Sequence, residues 1–259
     1  MEHLGTSRII DALALPNDSR VDQRVPKKLL LEQGAPTSAD KRAIQDGIEE
    51  IIWVAALKPV NVGVPVFRDD VREYLEIAVL TVTLRQDAKA NRLAELVHRA
   101  IPYPVLLVTM QVEGCMLSVA HKRWSQGETG KVVIEDLHGT VELHAEAPNT
   151  EETAFLGSLT VAGLPRGDLY ALYQGWVDRV AALEAARITG VFALPSELGQ
   201  GGDIREGLEE HKALERELVL LRARANKEKQ MNRRVELNLQ IKRLEAEAAT
   251  IANRLGGHG

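Results

Sequence analysis

Residues 203–255 read DIREGLEEHKALERELVLLRARANKEKQMNRRVELNLQIKRLEAEAATIANRL, and this stretch decides how the rest of the chain is divided. It contains no proline and a single glycine, Gly207, and its apolar residues recur at steps of three and four among charges, which is a helical pattern. A single helix of this length would reach about 80 Å at about 1.5 Å per residue, too far to lie on one small domain. The stretch is therefore expected to meet something outside the domain it leaves.

Two apolar stripes run along it. Leu214, Leu218, Leu221, Ala225, Glu228, Asn232, Val235 and Leu239 form a heptad-like seam with two polar members, which weaken self-pairing. Leu237, Ile241, Leu244, Ala248, Ile251 and Leu255 step in the same way but in another phase, roughly 150° around the helix at about 100° per residue. One straight partner cannot follow both stripes. Either the helix bends back near Asn226–Arg234, giving a helical hairpin, or its halves meet different surfaces.

The changeover carries Arg222, Arg224, Lys227, Lys229, Arg233 and Arg234 against one acid, Glu228, a balance of +5. The whole chain of 259 residues has a formal charge of −5, which argues against a generally basic nucleic-acid coat. Residues 203–255 hold 12 Lys/Arg against 10 Asp/Glu and the remainder holds 20 against 27, so the basic concentration is local. Its ordinary reading is a solvated helical face. The functional reading is contact with phosphate or with an acidic protein surface, led by Arg222, Lys229 and Arg233, which share one face of a continuous helix.

The preceding chain reads as an α+β domain. Residues 1–36, with Pro16, Pro26 and Pro36, read as irregular. Thr37 and Asp40 stand in a capping-box arrangement at the start of a helix that Ile44, Ile48, Ile51, Ile52 and Ala55 carry to about Leu57, before Lys58-Pro59 stops it. Strands are expected at 60–67, 73–84, Val105–Met110, Met116–Arg123, Lys131–Leu137 and Val141–Glu146, with a hairpin turn at Glu113-Gly114. Helices are expected at 88–100, 151–163 and 168–189. The expected organisation is an irregular 1–36, a domain over 37–198, a Gly-rich joint at 199–202, the helix 203–255 and a flexible 256–259. The expected fold class is a mixed or antiparallel sheet flanked by helices, followed by a long C-terminal helix or helical hairpin with coiled-coil character.

Cys115 is the sole cysteine, which excludes an intramolecular disulfide and a cysteine-rich zinc site. The first thirty residues lack a signal-peptide core, and no apolar run approaches the roughly 20 residues that span a bilayer. A soluble, cytoplasmic protein without membrane contact is expected. Glu76, placed on a strand with Tyr74, Ala78, Leu80 and Val82 on its face, needs a cationic partner, which Lys122 or Lys41 would supply. The structural reading is an ion pair at a sheet end. The functional reading is a metal-dependent nuclease, but Ala120 stands two positions before Lys122, where a second carboxylate is needed. His121, His138 and His144 lack zinc-site spacing, and no phosphate-loop or nucleophile-elbow pattern occurs. No catalytic residue, cofactor or metal is assigned from the residues.

Several strings together carry a likeness: Val25-Pro-Lys-Lys28, Asp40-Lys41, Ile51-Ile-Trp-Val-Ala-Ala-Leu-Lys-Pro59, Tyr74-Leu-Glu-Ile77, Ile101-Pro-Tyr-Pro104, Ala120-His-Lys-Arg123 and Lys227-Glu-Lys-Gln-Met-Asn-Arg-Arg-Val-Glu-Leu-Asn238. With them the chain resembles the bacterial domain-of-unknown-function family 4391 along nearly its whole length. The resemblance implies a bacterial or archaeal accessory protein encoded beside Swi/Snf-type helicases, DNA methyltransferases and restriction subunits. It implies a role in defence against foreign DNA, and it supplies no catalytic residue. The expected function is a non-enzymatic assembly subunit whose C-terminal helix binds a helicase, a methyltransferase or a second copy of itself. The alternatives are a DNA-contacting module using residues 222–234 and a nuclease centred on Glu76 and Lys122.

Overall fold

The computed structural model describes residues 4–112, 114–128, 131–140, 142–144, 147–195 and 200–257. In chain order the elements are α1 (Leu4–Ala12), β1 (Arg20–Arg24), α2 (Lys27–Gln33), α3 (Ser38–Gly47), β2 (Ile48–Leu57), α4 (Pro59–Val62), β3 (Phe67–Arg68), β4 (Glu73–Tyr74) and β5 (Ile77–Leu84). There follow α5 (Ala90–Ala100), β6 (Val105–Met110), β7 (Cys115–Trp124), β8 (Val132–Gly139), α6 (Thr150–Ser158), α7 (Leu169–Thr189), α8 (Gln200–Lys227) and α9 (Met231–Gly256). They fall into two compact units, Met1–Val180 and Ala181–Gly259, divided within α7 and not at a joint near residue 200.

The first unit is α+β. Its six strands lie in the order β1-β2-β5-β6-β7-β8; only β5 and β6 run parallel, because α5 carries the chain across between them. β3 and β4 form a small separate pair. On one face α2, α3 and α5 bury Leu30, Ile44, Leu93, Leu96 and Val97 against Ile51, Leu80, Val82 and Leu107 of the sheet. α2 and α5 approach so closely at Gly34 that a Cβ there would stand 2.7 Å from the Leu96 carbonyl oxygen. At β7 the alternation of side chains across a strand is visible in the partners, because Lys122 reaches α5 and His121 reaches α7.

Thr37 caps α3 as the sequence implies, its hydroxyl accepting from the Asp40 N–H at 3.1 Å. The helix does not run on to Leu57, however; it ends at Gly47, and Ile48–Leu57 is a strand between β1 and β5. Helical spacing of the isoleucines misleads here because two bulges, at Ile48/Glu50 and Trp53/Ala55, disturb the two-residue alternation that marks a strand. Residues 60–67 are mostly not strand: α4 and a loop precede the short β3. The expected strand 73–84 is two strands, broken at Leu75-Glu76. Residues 1–36 are not irregular throughout, since α1, β1 and α2 lie there. Gly114 accepts from Gln111 N–H at 2.8 Å, while Glu113 lies outside the described residues. Of the strand expected at Val141–Glu146, Leu143 makes an isolated bridge to Cys115, and residues 141, 145 and 146 lie outside the described residues.

The second unit is helical, and residues 203–255 are two helices, not one. α8 and α9 are antiparallel across a turn at residues 228–230, with Arg222 against Glu245 and Arg254 against Glu210. In place of the expected Gly-rich joint, residues 200–202 form the first turn of α8, and Gly199 lies outside the described residues. Near the base of the hairpin, Ile204, Leu208, Ile251 and Leu255 pack with Ala181 and Ala185 of α7. Toward the tip only two helices remain, closed by Leu218, Leu221, Ala225 and Ile241 with Leu237 and Leu244 at the edge. The second stripe and the first half of the seam thus cover each other. The other half of the seam is left outside: Val235 is 50% exposed and Leu239 54%.

Candidate functional site

Glu76 and Lys122 line one cavity of about 350 Å³, with Arg72, Glu73, Tyr103 and Arg123, but they are not each other's partners. Because Glu76 falls in the break between β4 and β5, it does not share a strand face with Tyr74 and Ala78. Its carboxylate pairs with Lys58 at 3.2 Å. Burial, and then the charge of Glu76, raises the Tyr103 hydroxyl above its ordinary pKa.

Lys122 has a different task. In α5 the His98 carbonyl would accept from the residue four positions on, but that residue is Pro102, which has no N–H. The Lys122 amine donates to this carbonyl instead. Burial pushes the amine down from 10.5 to about 7, so at neutral pH much of the population holds the proton-poor form, still a donor. The same burial holds His98 well below its ordinary value, with its Nε2 in contact with Ser118 Oγ at 3.0 Å. Lys41 is exposed in the first turn of α3, away from this cavity's lining. Its neighbour Asp40 is held below the usual carboxylate range by the Thr37 hydroxyl and by Arg92, whose guanidinium lies at 2.8 Å.

On the opposite face is a buried polar network that the sequence did not disclose. The Tyr74 hydroxyl meets His121 Nδ1 at 2.5 Å, and His121 Nε2 meets the Gln174 carbonyl oxygen at 2.9 Å. Since that oxygen only accepts, Nε2 carries the proton and Nδ1 takes one from Tyr74 when the ring is neutral. Tyr173 sits where β6 and β7 cease to pair. Its hydroxyl donates to the Val105 carbonyl at 2.7 Å and accepts from the Ala120 N–H at 2.7 Å, replacing one rung of the ladder. Burial raises the Tyr74 and Tyr173 hydroxyls, and Tyr74 and Tyr173 are both fully enclosed. The network is a strut between sheet and helix.

The three histidines considered as ligands are separated in role: His121 belongs to this strut, His138 to β8, and His144 pairs with Glu152 at 3.5 Å. Among the described residues no group of three or more His, Cys, Asp or Glu is placed to hold a metal ion. Cys115 is buried, its thiol directed to the Leu143 carbonyl at 3.7 Å.

At the hairpin tip the six cations are divided by the turn. Arg222 is tied to Glu245 at 2.9 Å, so the expected trio of Arg222, Lys229 and Arg233 is not the one assembled. Arg224, Lys227 and Arg233 line one open cleft instead, because the bend brings α9 back beside α8. Lys229 lies in the turn, and the Arg234 guanidinium rests 3.5 Å from Met231 Sδ. Beside them Met231, Val235 and Leu239 recur every four residues along α9 and are 62%, 50% and 54% exposed. The three form a helical stripe of large apolar side chains at half exposure or more.

A family model described as "Domain of unknown function (DUF4391)" matches residues 13–247 of the chain. Neither the curated proteins nor the solved structures contain a match. Among the described residues no helix is long and apolar enough to cross a membrane.

Proposed function

The chain belongs to the family described as a domain of unknown function (DUF4391), and from that premise we propose that it is a non-enzymatic assembly subunit. The α+β unit is the scaffold, and the α8–α9 hairpin is the arm that docks a second protein. One observation carries this reading: Met231, Val235 and Leu239 recur every four residues on one face of α9, outside the packed tip cluster, at 62%, 50% and 54% exposure. Burying those three side chains on a partner would stabilise a complex by a few kcal/mol at about 25 cal/mol per Å² of apolar area.

The adjoining cations select the partner's chemistry. An amphipathic helix with acids flanking its apolar seam fits this face. A second copy does not, because two identical stripes meeting antiparallel would bring two segments of +5 together. The likeness to a family encoded beside helicases, methyltransferases and restriction subunits makes a DNA-related, defence-type assembly the first place to look.

The test is co-purification of the tagged full chain from its native cells, with V235E/L239E beside wild type. Both positions are half exposed, so the double change leaves the hairpin core intact. A stoichiometric protein partner present with wild type and absent with the variant is expected. A partner retained by the variant refutes the assignment.

A further inference from the structure

Beside the apolar stripe, the hairpin tip carries a cleft that gathers cations. It measures about 480 Å³ and is lined by Arg224, Lys227, Glu228, Arg233, Glu236, Leu237 and Gln240, all of the second unit. Three cations stand there against two carboxylates, a balance of +1, and Glu228 Oε1 also accepts from the Gln230 N–H at 2.8 Å and shapes the turn. Among the described residues, Arg224, Lys227 and Arg233 enter no salt bridge, whereas Arg222, a turn away, is held by Glu245. Cations gathered without partners repel one another, and a multivalent anion relieves that repulsion.

The form of the cleft narrows the anion. It is open, so it does not enclose a small ion. Lys229 in the turn and Arg234 on α9 add two further cations within residues 222–234. No Phe, Trp or Tyr occurs between positions 200 and 257, so the aromatic platforms of a single-strand binder are missing. We propose that this cleft binds the phosphodiester backbone of nucleic acid without reading its sequence. The two guanidiniums offer forked contacts to phosphate oxygens and Lys227 a point charge. Outside residues 203–255 the chain holds 27 acids against 20 bases, a balance that does not attract a polyanion. The site is on a different set of side chains from Val235 and Leu239 and does not depend on the docking assignment.

Fluorescence anisotropy of the full chain with a labelled duplex of about 24 base pairs, over roughly 25–200 mM salt, tests it. The expected wild-type result is an affinity whose logarithm falls linearly with log salt, with a slope of about −3 or steeper. R224E/K227E/R233E is expected to lose more than about tenfold at the lowest salt and to flatten the slope by about 3. K41E/R42E/K89E, an equal charge change at exposed positions of the first unit, is expected to stay within about threefold of wild type. If circular dichroism shows that the Glu variant has lost helix, R224Q/K227Q/R233Q takes its place, with the same loss expected. No binding at the lowest salt overturns the proposal. So does equal loss in the control variant, or wild-type binding by the tip variant. Displacement of the duplex by millimolar inorganic phosphate, beyond a chloride control of equal ionic strength, would reveal a small-anion site and also overturn it.

Discussion

Replacing Lys122 by Met removes the donor that serves the His98 carbonyl while keeping an unbranched side chain of similar length in its place. The consequence depends on pH in a defined direction. The amine titrates at about 7 in the folded protein and near 10.5 when unfolded. Between those values the unfolded chain holds the extra proton, so raising the pH favours the fold; below about 7 both states hold it and the contribution is flat. Only 3% of Lys122 is exposed, so solvent does not screen the effect. Each pH unit within the window is worth up to about 1.4 kcal/mol, and between pH 7.5 and 9.5 the partial titration near the lower end leaves about 2–3 kcal/mol. Urea unfolding of wild type and K122M at several pH values measures this, and taking the difference cancels every other group that titrates in both proteins. The stability of wild type relative to K122M should rise by that amount across the window. A difference that stays constant within about 0.5 kcal/mol would refute the buried, proton-poor amine.

Tyr173→Phe should cost about 2–4 kcal/mol in urea unfolding, because it strands the buried Ala120 N–H and Val105 carbonyl between β6 and β7. Leu218→Ala, at a position 1% exposed in the tip cluster, should cost about 2–4 kcal/mol of local stability. It should speed amide hydrogen exchange in α8 and α9 more than tenfold while leaving β5 and β6 unchanged. Glu76→Gln should change stability by no more than about 1 kcal/mol, since its partner Lys58 is half exposed.

The hairpin was legible in an unusual way. Its turn, Glu228-Lys-Gln230, has no glycine or proline to announce it. The signal was the phase difference between the two stripes, which only a reversal lets both satisfy at once. The sequence left a reversal and two separate partners as alternatives because local residues do not choose between them; packing does. β2 was lost for the converse reason. Two bulges erase its alternation, and Ile44, Ile48, Ile51 and Ile52 then fit a helix as well as a strand. β1 was missed because an edge strand of Arg20-Val-Asp-Gln-Arg24 has little apolar surface to betray it.

The six cations of residues 222–234 are legible in the sequence, but which three share a cleft depends on the turn. The role of Lys122 was hidden by a partner that is a backbone carbonyl. Pro102, placed four residues after His98, was the available clue, because it marks a helical carbonyl with no backbone donor.

Leu239 and Val235 form the proposed docking face, and a photo-crosslinking residue placed at 239 tests it most directly. In native cells the full chain carrying the crosslinker at 239 should yield a covalent adduct with one other protein, joined through a helix of acidic, amphipathic character. The crosslinker at Glu247, equally on α9 but outside the stripe, should yield none. The same adduct from both positions, or an adduct only with a second copy of the chain, would contradict the assignment.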